Sequence, residues 1–485
     1  MSPNNGGLAA VVLAGGRSTR FGGTTSKVLH PLWGRTLLGH VLEALRAVHR
    51  STRLREVCVV VPPGKEIERA LASERFPFKV SFAVQRAAKG TGDAAQVALR
   101  KLGPSGEVLV CSGDVPLIGA ETLVSLVRAR RESNAPAAVL TAVLPDPGQL
   151  GRVMRRGGEI AGVVEVWDAT PEQLAIREIN TCTYAFSREA LEHALPRLRE
   201  DNAKGERYLT DVVGLLAADG ERLAGVEGDP DEVLGTNTKA ELAHVARIAR
   251  RRIVHGLMDG GVTVIDPDTT YVDAGVQCGA DTVLHPNTFL EGVTKVGAGC
   301  EIGPNVRLVD TKVGDGASVT FAVARESKIG PGASVGPFAS LRPGTVLAKG
   351  AKAGTFSEMK NARIGEGSKV PHFSYLGDVT VGRGSNIGAG TITCNYDGKD
   401  KHPTSIGDDV FIGSDSILVA PVRVGSKAYT GAGSVVTRNV RSGELVYGVP
   451  AVPKKRSTSK KAKPKAATGK KKIVKRPVKG RRKKS

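Results

Sequence analysis

Between Val276 and Val436 an aliphatic residue returns every six positions, usually followed by Gly, two variable residues, a small residue and one more. Ile302-Gly303-Pro304-Asn305-Val306-Arg307 is one copy; Ile329 opens another, Val335 the next, and Leu341 keeps the register. In-register runs resume at Ile364 and Val370, at Val381 and Ile387, and at Ile406, Ile412, Leu418 and Val424. Neither helical periodicity nor strand alternation produces this spacing. Short tandem repeats that stack coil on coil do, so the pattern predicts a parallel β-helix. Its aliphatic residues should point inward in ladders about 4.8 Å apart, with glycines at the corners. The repeat is interrupted twice, at 342–363 and at 394–404, and both stretches are expected to be excursions that build a binding face.

Upstream the pattern is different. Leu8–Leu13, Glu56–Val61 and Val108–Cys111 are apolar runs of strand length. They alternate with helical spacing over Leu37–Val48, Ala94–Leu102 and Glu121–Arg131. This βαβ alternation predicts an α/β domain, a doubly wound, Rossmann-like and mainly parallel sheet, with ligands at the C-terminal ends of its strands. Residues 238–258 are predicted as one helix, a stiff connection with few turn residues. The expected division is 1–237 for the sheet domain, 238–260 for the linker helix, 261–453 for the β-solenoid and 454–485 for a disordered tail.

Charge changes the picture only at the end of the chain. Residues 454–485 hold 17 Lys or Arg and no acid, so the rest carries only +4 of the net +21. The tail lacks the aromatic rings that stack on bases, so only weak, salt-dependent attraction to polyanions is expected of it. No apolar run is long enough to span a membrane and no secretory signal opens the chain, which points to the cytoplasm. Six scattered cysteines without metal-type spacing are expected to be reduced thiols.

The chemistry of the first domain begins at Leu13-Ala14-Gly15-Gly16-Arg17-Ser18-Thr19-Arg20-Phe21, directly after the first strand. Glycines there let backbone N–H groups approach phosphates, which Arg20 and Lys27 could neutralise. Gln85 precedes a second Gly-rich turn, Gly90-Thr91-Gly92-Asp93, and Asp114 leaves a buried strand where a Mg²⁺-nucleotide would sit, with Asn237 as a second oxygen. These segments resemble sugar-nucleotide pyrophosphorylases. So do Gly151-Arg152-Val153, Val163-Val164-Glu165, Glu178-Ile179-Asn180-Thr181 and Asn202-Ala203-Lys204-Gly205-Glu206. With the solenoid attached, residues 8–450 resemble the bifunctional N-acetylglucosamine-1-phosphate uridylyltransferase / glucosamine-1-phosphate N-acetyltransferase family. The resemblance implies that Leu13, Gly16, Arg20, Lys27, Gln85, Gly90 and Thr91 hold UTP. It further implies that Gly151, Glu165 and Asn180 hold the amino sugar, and that Asp114 and Asn237 hold Mg²⁺. The nucleotide loop departs from the family at Gly15, Ser18 and Ser26, and looks partly like nucleotidyltransferases that make molybdenum-cofactor dinucleotides. An acetyltransferase whose first domain has changed nucleotide or lost activity therefore stays open, as does a non-catalytic scaffold tethered by its tail.

In the solenoid, Val370 in an inward slot leaves His372 facing out. Phe356-Ser357-Glu358-Met359-Lys360, the His372 segment, and Asn386 through Gly398 resemble the acetyltransferase half almost continuously. That resemblance implies direct acyl transfer, with His372 taking a proton from the glucosamine amine, a role suited to imidazole. Arg342, Lys360, Tyr375, Asn386 and Glu358 would hold the sugar phosphate, with Lys401 adding to the grip; Asn395, Tyr396, Ser414 and Ala432 would line acetyl-CoA. It also implies a left-handed coil and a homotrimer that shares each acetyl site between subunits.

Overall fold

The structure is a computed structural model that describes residues 7–16, 21–22 and 25–454. Arg20 and the tail beyond Lys454 lie outside the described residues.

The N-terminal strands are β1 (Leu8–Leu13), β2 (Glu56–Val61), β3 (Lys79–Val84), β4 (Glu107–Ser112), β5 (Ala137–Val143), β6 (Arg152–Arg156), β7 (Glu159–Val164), β8 (Glu178–Ser187) and β9 (Ala224–Glu227). Seven form one sheet in the order β9-β5-β8-β4-β1-β2-β3. β8 runs antiparallel between β4 and β5; the other neighbours are parallel. The β6–β7 hairpin attaches to β8 through Ile179 and Arg152. Alternate residues of β1 enter different cores: Leu8, Ala10 and Val12 pack on one face, Ala9 and Val11 on the other. The same holds for Val57, Val59 and Val61 against Cys58 and Val60. Both faces are therefore covered, which is why these strands read as continuous apolar runs.

From Thr263 onward the chain forms three flat faces of stacked parallel strands, a left-handed β-helix. Ile302, Val319, Val335 and Val370 belong to the ladder of the first face. Leu308, Ala324, Leu341, Met359 and Leu376 follow one another on the second, and Ile329, Leu347, Ile364 and Val381 on the third. All are buried in one continuous core.

One expectation is corrected. Residues 342–363 are not an excursion: Leu341, Leu347, Ala353 and Met359 occupy successive inward slots six residues apart, each at most 1% exposed. Ala and Met in aliphatic slots hide the repeat from the sequence, and a five-residue step to Ile364 shifts the downstream frame. The second interruption is a real excursion, closed by a bridge between Tyr396 and Lys401 before the ladder resumes at Ile406.

The linker helix (Lys239–Asp259) starts at a capping box: Thr238 accepts from Glu241 N, and Glu241 accepts from Thr238 N. Its Val245, Ile248 and Ala249 pack with Leu32 and Leu37 of the first domain, whereas Val254 joins the solenoid core. Trp33 ties the parts together. Its indole donates to Ala246 O at 2.7 Å, its carbonyl accepts from Ala274 N at 3.0 Å, and its ring lies 5.9 Å from that of Tyr271. Among the described residues, no helix is long and apolar enough to cross a membrane. All six cysteines are free thiols, and burial pushes Cys111 up to about 12.

Candidate active sites

The first site lies at the C-terminal ends of β1 and β4, where Leu13 pairs with Ser112. Asp114 follows β4 and is fixed on both sides. Its Oδ1 accepts from Ser112 Oγ at 2.6 Å, and its carbonyl accepts from Thr236 N and Oγ1 at 3.0 and 2.8 Å. Thr236 thereby sets the neighbouring Asn237, whose N–H donates to Glu241 Oε2 at 2.6 Å as the linker helix begins. Lys27 Nζ stands between the two side chains, paired with Asp114 Oδ2 and donating to Asn237 Oδ1 at 2.8 Å. Two oxygens thus converge on one positive charge.

Beside it, Gln85 Nε2 donates to Gly90 O and Asp93 Oδ2, each at 2.9 Å, and its Oε1 faces Gly15. A β-carbon at Gly15 would stand 2.9 Å from that oxygen, whereas one at Gly16 would meet nothing. Gly90 has φ +97, and a β-carbon there would lie 2.4 Å from Arg207 O. It opens a helix at Thr91, three residues before the expected start, and Thr91 Oγ1 accepts from Leu209 N at 2.9 Å.

Gly151, Glu165 and Asn180 come together around β6–β8. Asn180 N donates to Gly151 O at 2.9 Å, and a side chain on Gly151 would crowd Val163 and Glu165. Glu165 Oε1 accepts from Thr210 Oγ1 at 3.2 Å. Burial raises the Glu165 carboxyl above its ordinary range, partly opposed by Thr210 and Lys204. Asn180 is 5% exposed, its side chain buried beside that of Tyr184.

The second site lies on the prism. His372 ends the strand Lys369–His372, beside Thr355 of the coil below, and is exposed as expected. Each of His372, Ala389, Ser414 and Ala432 stands two residues after an inward slot of the first face, so they form one column along the prism corner. On the second face Glu358 pairs with Tyr375 and receives Arg342 Nη1 at 2.9 Å. Lys360 follows on the same strand, and the adjacent Lys401 ammonium, then Arg342, depresses its pKa. Asp378 accepts from Asn361 Nδ2 at 2.9 Å and Asn395 Nδ2 at 2.5 Å. Burial would raise Asp378, but these amides and the lysines hold it below the usual carboxylate range. Arg342, Lys360 and Lys401 outnumber the Glu358 and Asp378 carboxylates beside them, and an excess of positive charge is the condition for seating a phosphate. Tyr396 lies on the excursion, its hydroxyl donating to Gly398 O at 2.6 Å. Asn386 stands apart from this set, on the first face between Lys369 and Phe411.

Sequence reasoning missed two features of this site. Asp378, which anchors Asn395, carried no motif. Phe338, Phe356 and Phe373 form an exposed ladder next to His372, with ring centroids 5.2 and 4.9 Å apart. Their recurrence at 17- or 18-residue coil intervals was the available signal.

Residues 10–210 match the model of the MobA-like NTP transferase domain, and residues 403–438 that of the hexapeptide repeat of succinyl-transferase. The chain is 47% identical over 417 residues to the bifunctional protein GlmU of Kineococcus radiotolerans, covering 85% of this chain and 84% of the relative. It is 45% identical over 419 residues to that of Streptomyces avermitilis, with 85% and 86% covered. Against that of Brevibacillus brevis it is 43% identical over 418 residues, with 86% and 89% covered.

Proposed function

The chain belongs to the family of bifunctional GlmU proteins, and from that membership we propose the part each site residue plays. The enzyme transfers acetyl from acetyl-CoA to glucosamine 1-phosphate. It then transfers uridylyl from UTP to N-acetylglucosamine 1-phosphate, giving UDP-N-acetylglucosamine and pyrophosphate.

The convergence of Asp114 and Asn237 on the Lys27 ammonium carries the uridylyl assignment. Two oxygens aimed at one cation suit Mg²⁺, which completes its shell with water and phosphate. Asp114 and Asn237 would hold it, and the ion would neutralise phosphate charge. Gly16 leaves room for the triphosphate, Lys27 offsets its charge, and Gln85 with the Gly90-Thr91 turn reads the base. Gly151, Glu165 and Asn180 seat the amino sugar so that its phosphate oxygen lines up with the α-phosphorus. A P–O bond forms there as the α–β bond breaks.

In the solenoid His372 takes a proton from the glucosamine amine as nitrogen attacks the thioester carbonyl and the CoA thiolate leaves. Arg342, Lys360 and Lys401 grip the sugar phosphate; Glu358, Tyr375 and Asn395 orient the sugar. Ser414 and Ala432, in the column above His372, lie along CoA with Tyr396. The exposed phenylalanine ladder needs cover, and a homotrimer supplies it. In that trimer Asn386, on another face, serves a neighbour's site. Both donors, UTP and acetyl-CoA, support a cytoplasmic location, and the tail would add weak, salt-dependent attraction to polyanions.

A split assay tests the reading. One reaction follows CoA release from acetyl-CoA and glucosamine 1-phosphate. The other follows pyrophosphate from N-acetylglucosamine 1-phosphate, Mg²⁺ and each of UTP, CTP, GTP and dTTP. Release in both, selective for UTP, is expected. Pyrophosphate from another nucleotide would favour the second reading, an altered first domain, which rests on Gly15 standing against Gln85 Oε1.

A further inference from the structure

Two loops of the first domain meet through side chains that neither reaction above employs. Residues 200–207 are held in shape by Asn202, whose Oδ1 accepts from Lys204 N at 3.2 Å and Glu206 N at 3.1 Å. At the end of this segment Arg207 is locked to the base-reading turn. Its N–H donates to Lys89 O at 2.9 Å, and its carbonyl accepts from Gly92 N at 2.8 Å. In its middle, Ala203 N donates to Asp168 Oδ1 at 2.9 Å, and Lys204 Nζ lies 5.7 Å from the Trp167 ring centroid. Trp167 and Asp168 sit on the single helical turn that follows Glu165. One segment therefore runs as a strap from the nucleotide side of the site to the rim of the sugar pocket.

At that rim Trp167 is 60% exposed, the larger of two tryptophan surfaces in a chain with little aromatic content. An indole left in water beside a pocket is an apolar platform, and a pyranose presents C–H faces that such a platform shields from water. Lys204 rests against the indole, and its charge also reaches Glu165.

We propose that Trp167 and Lys204 are positioning residues for the hexosamine 1-phosphate. Trp167 covers the sugar ring, and Lys204, fixed on the strap, holds the indole in place. The inference rests on the reading that Gly151, Glu165 and Asn180 seat this sugar.

The test is steady-state uridylyl transfer by the full-length protein, varying N-acetylglucosamine 1-phosphate and UTP separately, with acetyl transfer and thermal melting measured on the same samples. Trp167→Ala should raise KM for the sugar phosphate about ten-fold, with kcat and KM for UTP within about two-fold. Trp167→Phe should keep most of the affinity. Lys204→Ala should raise the same KM by about three-fold, and Lys204→Arg, which retains a cation over the ring, should restore it. An unchanged sugar KM in Trp167→Ala would overturn the inference. So would equal losses for both substrates together with a lowered melting point, the mark of a merely structural role. Wild-type protein that uses UTP but not this sugar phosphate would overturn the pocket reading, and the inference with it.

Discussion

Lys239 Nζ lies 4.3 Å from the centroid of the Phe21 ring and 3.1 Å from Nδ1 of His30. Phe21 closes the nucleotide loop and is 2% exposed; Lys239 begins the linker helix two residues after Asn237. The cation thus latches one end of the nucleotide loop to the start of the linker helix, just after Asn237. A cation–π contact of this kind is worth about 0.5–1 kcal/mol or more, so Lys239→Ala should raise KM for UTP by about two- to five-fold. Kinetics at saturating sugar phosphate will check this, and acetyl transfer should not change.

Gly90→Ala should cut uridylyl transfer by at least about ten-fold, because its φ of +97 is strained for alanine and its new carbon meets the Arg207 carbonyl. Acetyl transfer on the same sample reports whether the solenoid remains intact.

His372→Ala should abolish acetyl transfer and spare uridylyl transfer, and Asp114→Ala should do the reverse. The two split assays read this directly; one substitution that silences both activities in a folded protein would refute independent sites.

Met359→Ala should cost about 2–5 kcal/mol in denaturant unfolding, the penalty for emptying a buried slot. Were 342–363 a surface excursion, the change would fall within about 0.5 kcal/mol.

Burial, then Glu165, Asp168 and Asp201, pushes Asp211 up to about 6, from an ordinary value of 3.8. The folded protein therefore holds this proton more tightly than the unfolded chain does. The stability this lends is fully present below pH 3.8 and is lost as pH rises through about 6. Asp211→Asn should accordingly raise the melting temperature more at pH 7.5 than at pH 4.5.

The strands Leu8–Leu13 and Glu56–Val61 coincide with their sequence bounds because both of their faces are buried, so their interiors read as unbroken apolar runs. The inward ladder is legible for the same reason wherever the slot holds Ile, Leu or Val. It fades at Ala353 and Met359, where neighbouring coils and not residue type define the slot. Asp114, Asn237 and Lys27 meet at the strand ends, and Gln85 meets Gly15 and Gly90, positions that leave a strand or open a helix and so stand out in the sequence. Trp167, Lys204 and Lys239 were illegible because their meaning depends on loops far apart in sequence meeting in space. Trp33 likewise looks like an ordinary turn residue until the linker helix and first coil close around it.

The hairpin of residues 394–404 leaves the prism between Thr393 and Ile406, yet Val381 and Ile406 remain adjacent in the third face. A spool behaves this way: a length of thread can be let out from one turn without disturbing the winding on either side. Because each coil answers only to the coil above and the coil below, that one length of chain can be lengthened or shortened while the ladders on either side keep their register. The sheet domain has no equivalent freedom, since its strands answer to neighbours on two sides and to two cores at once.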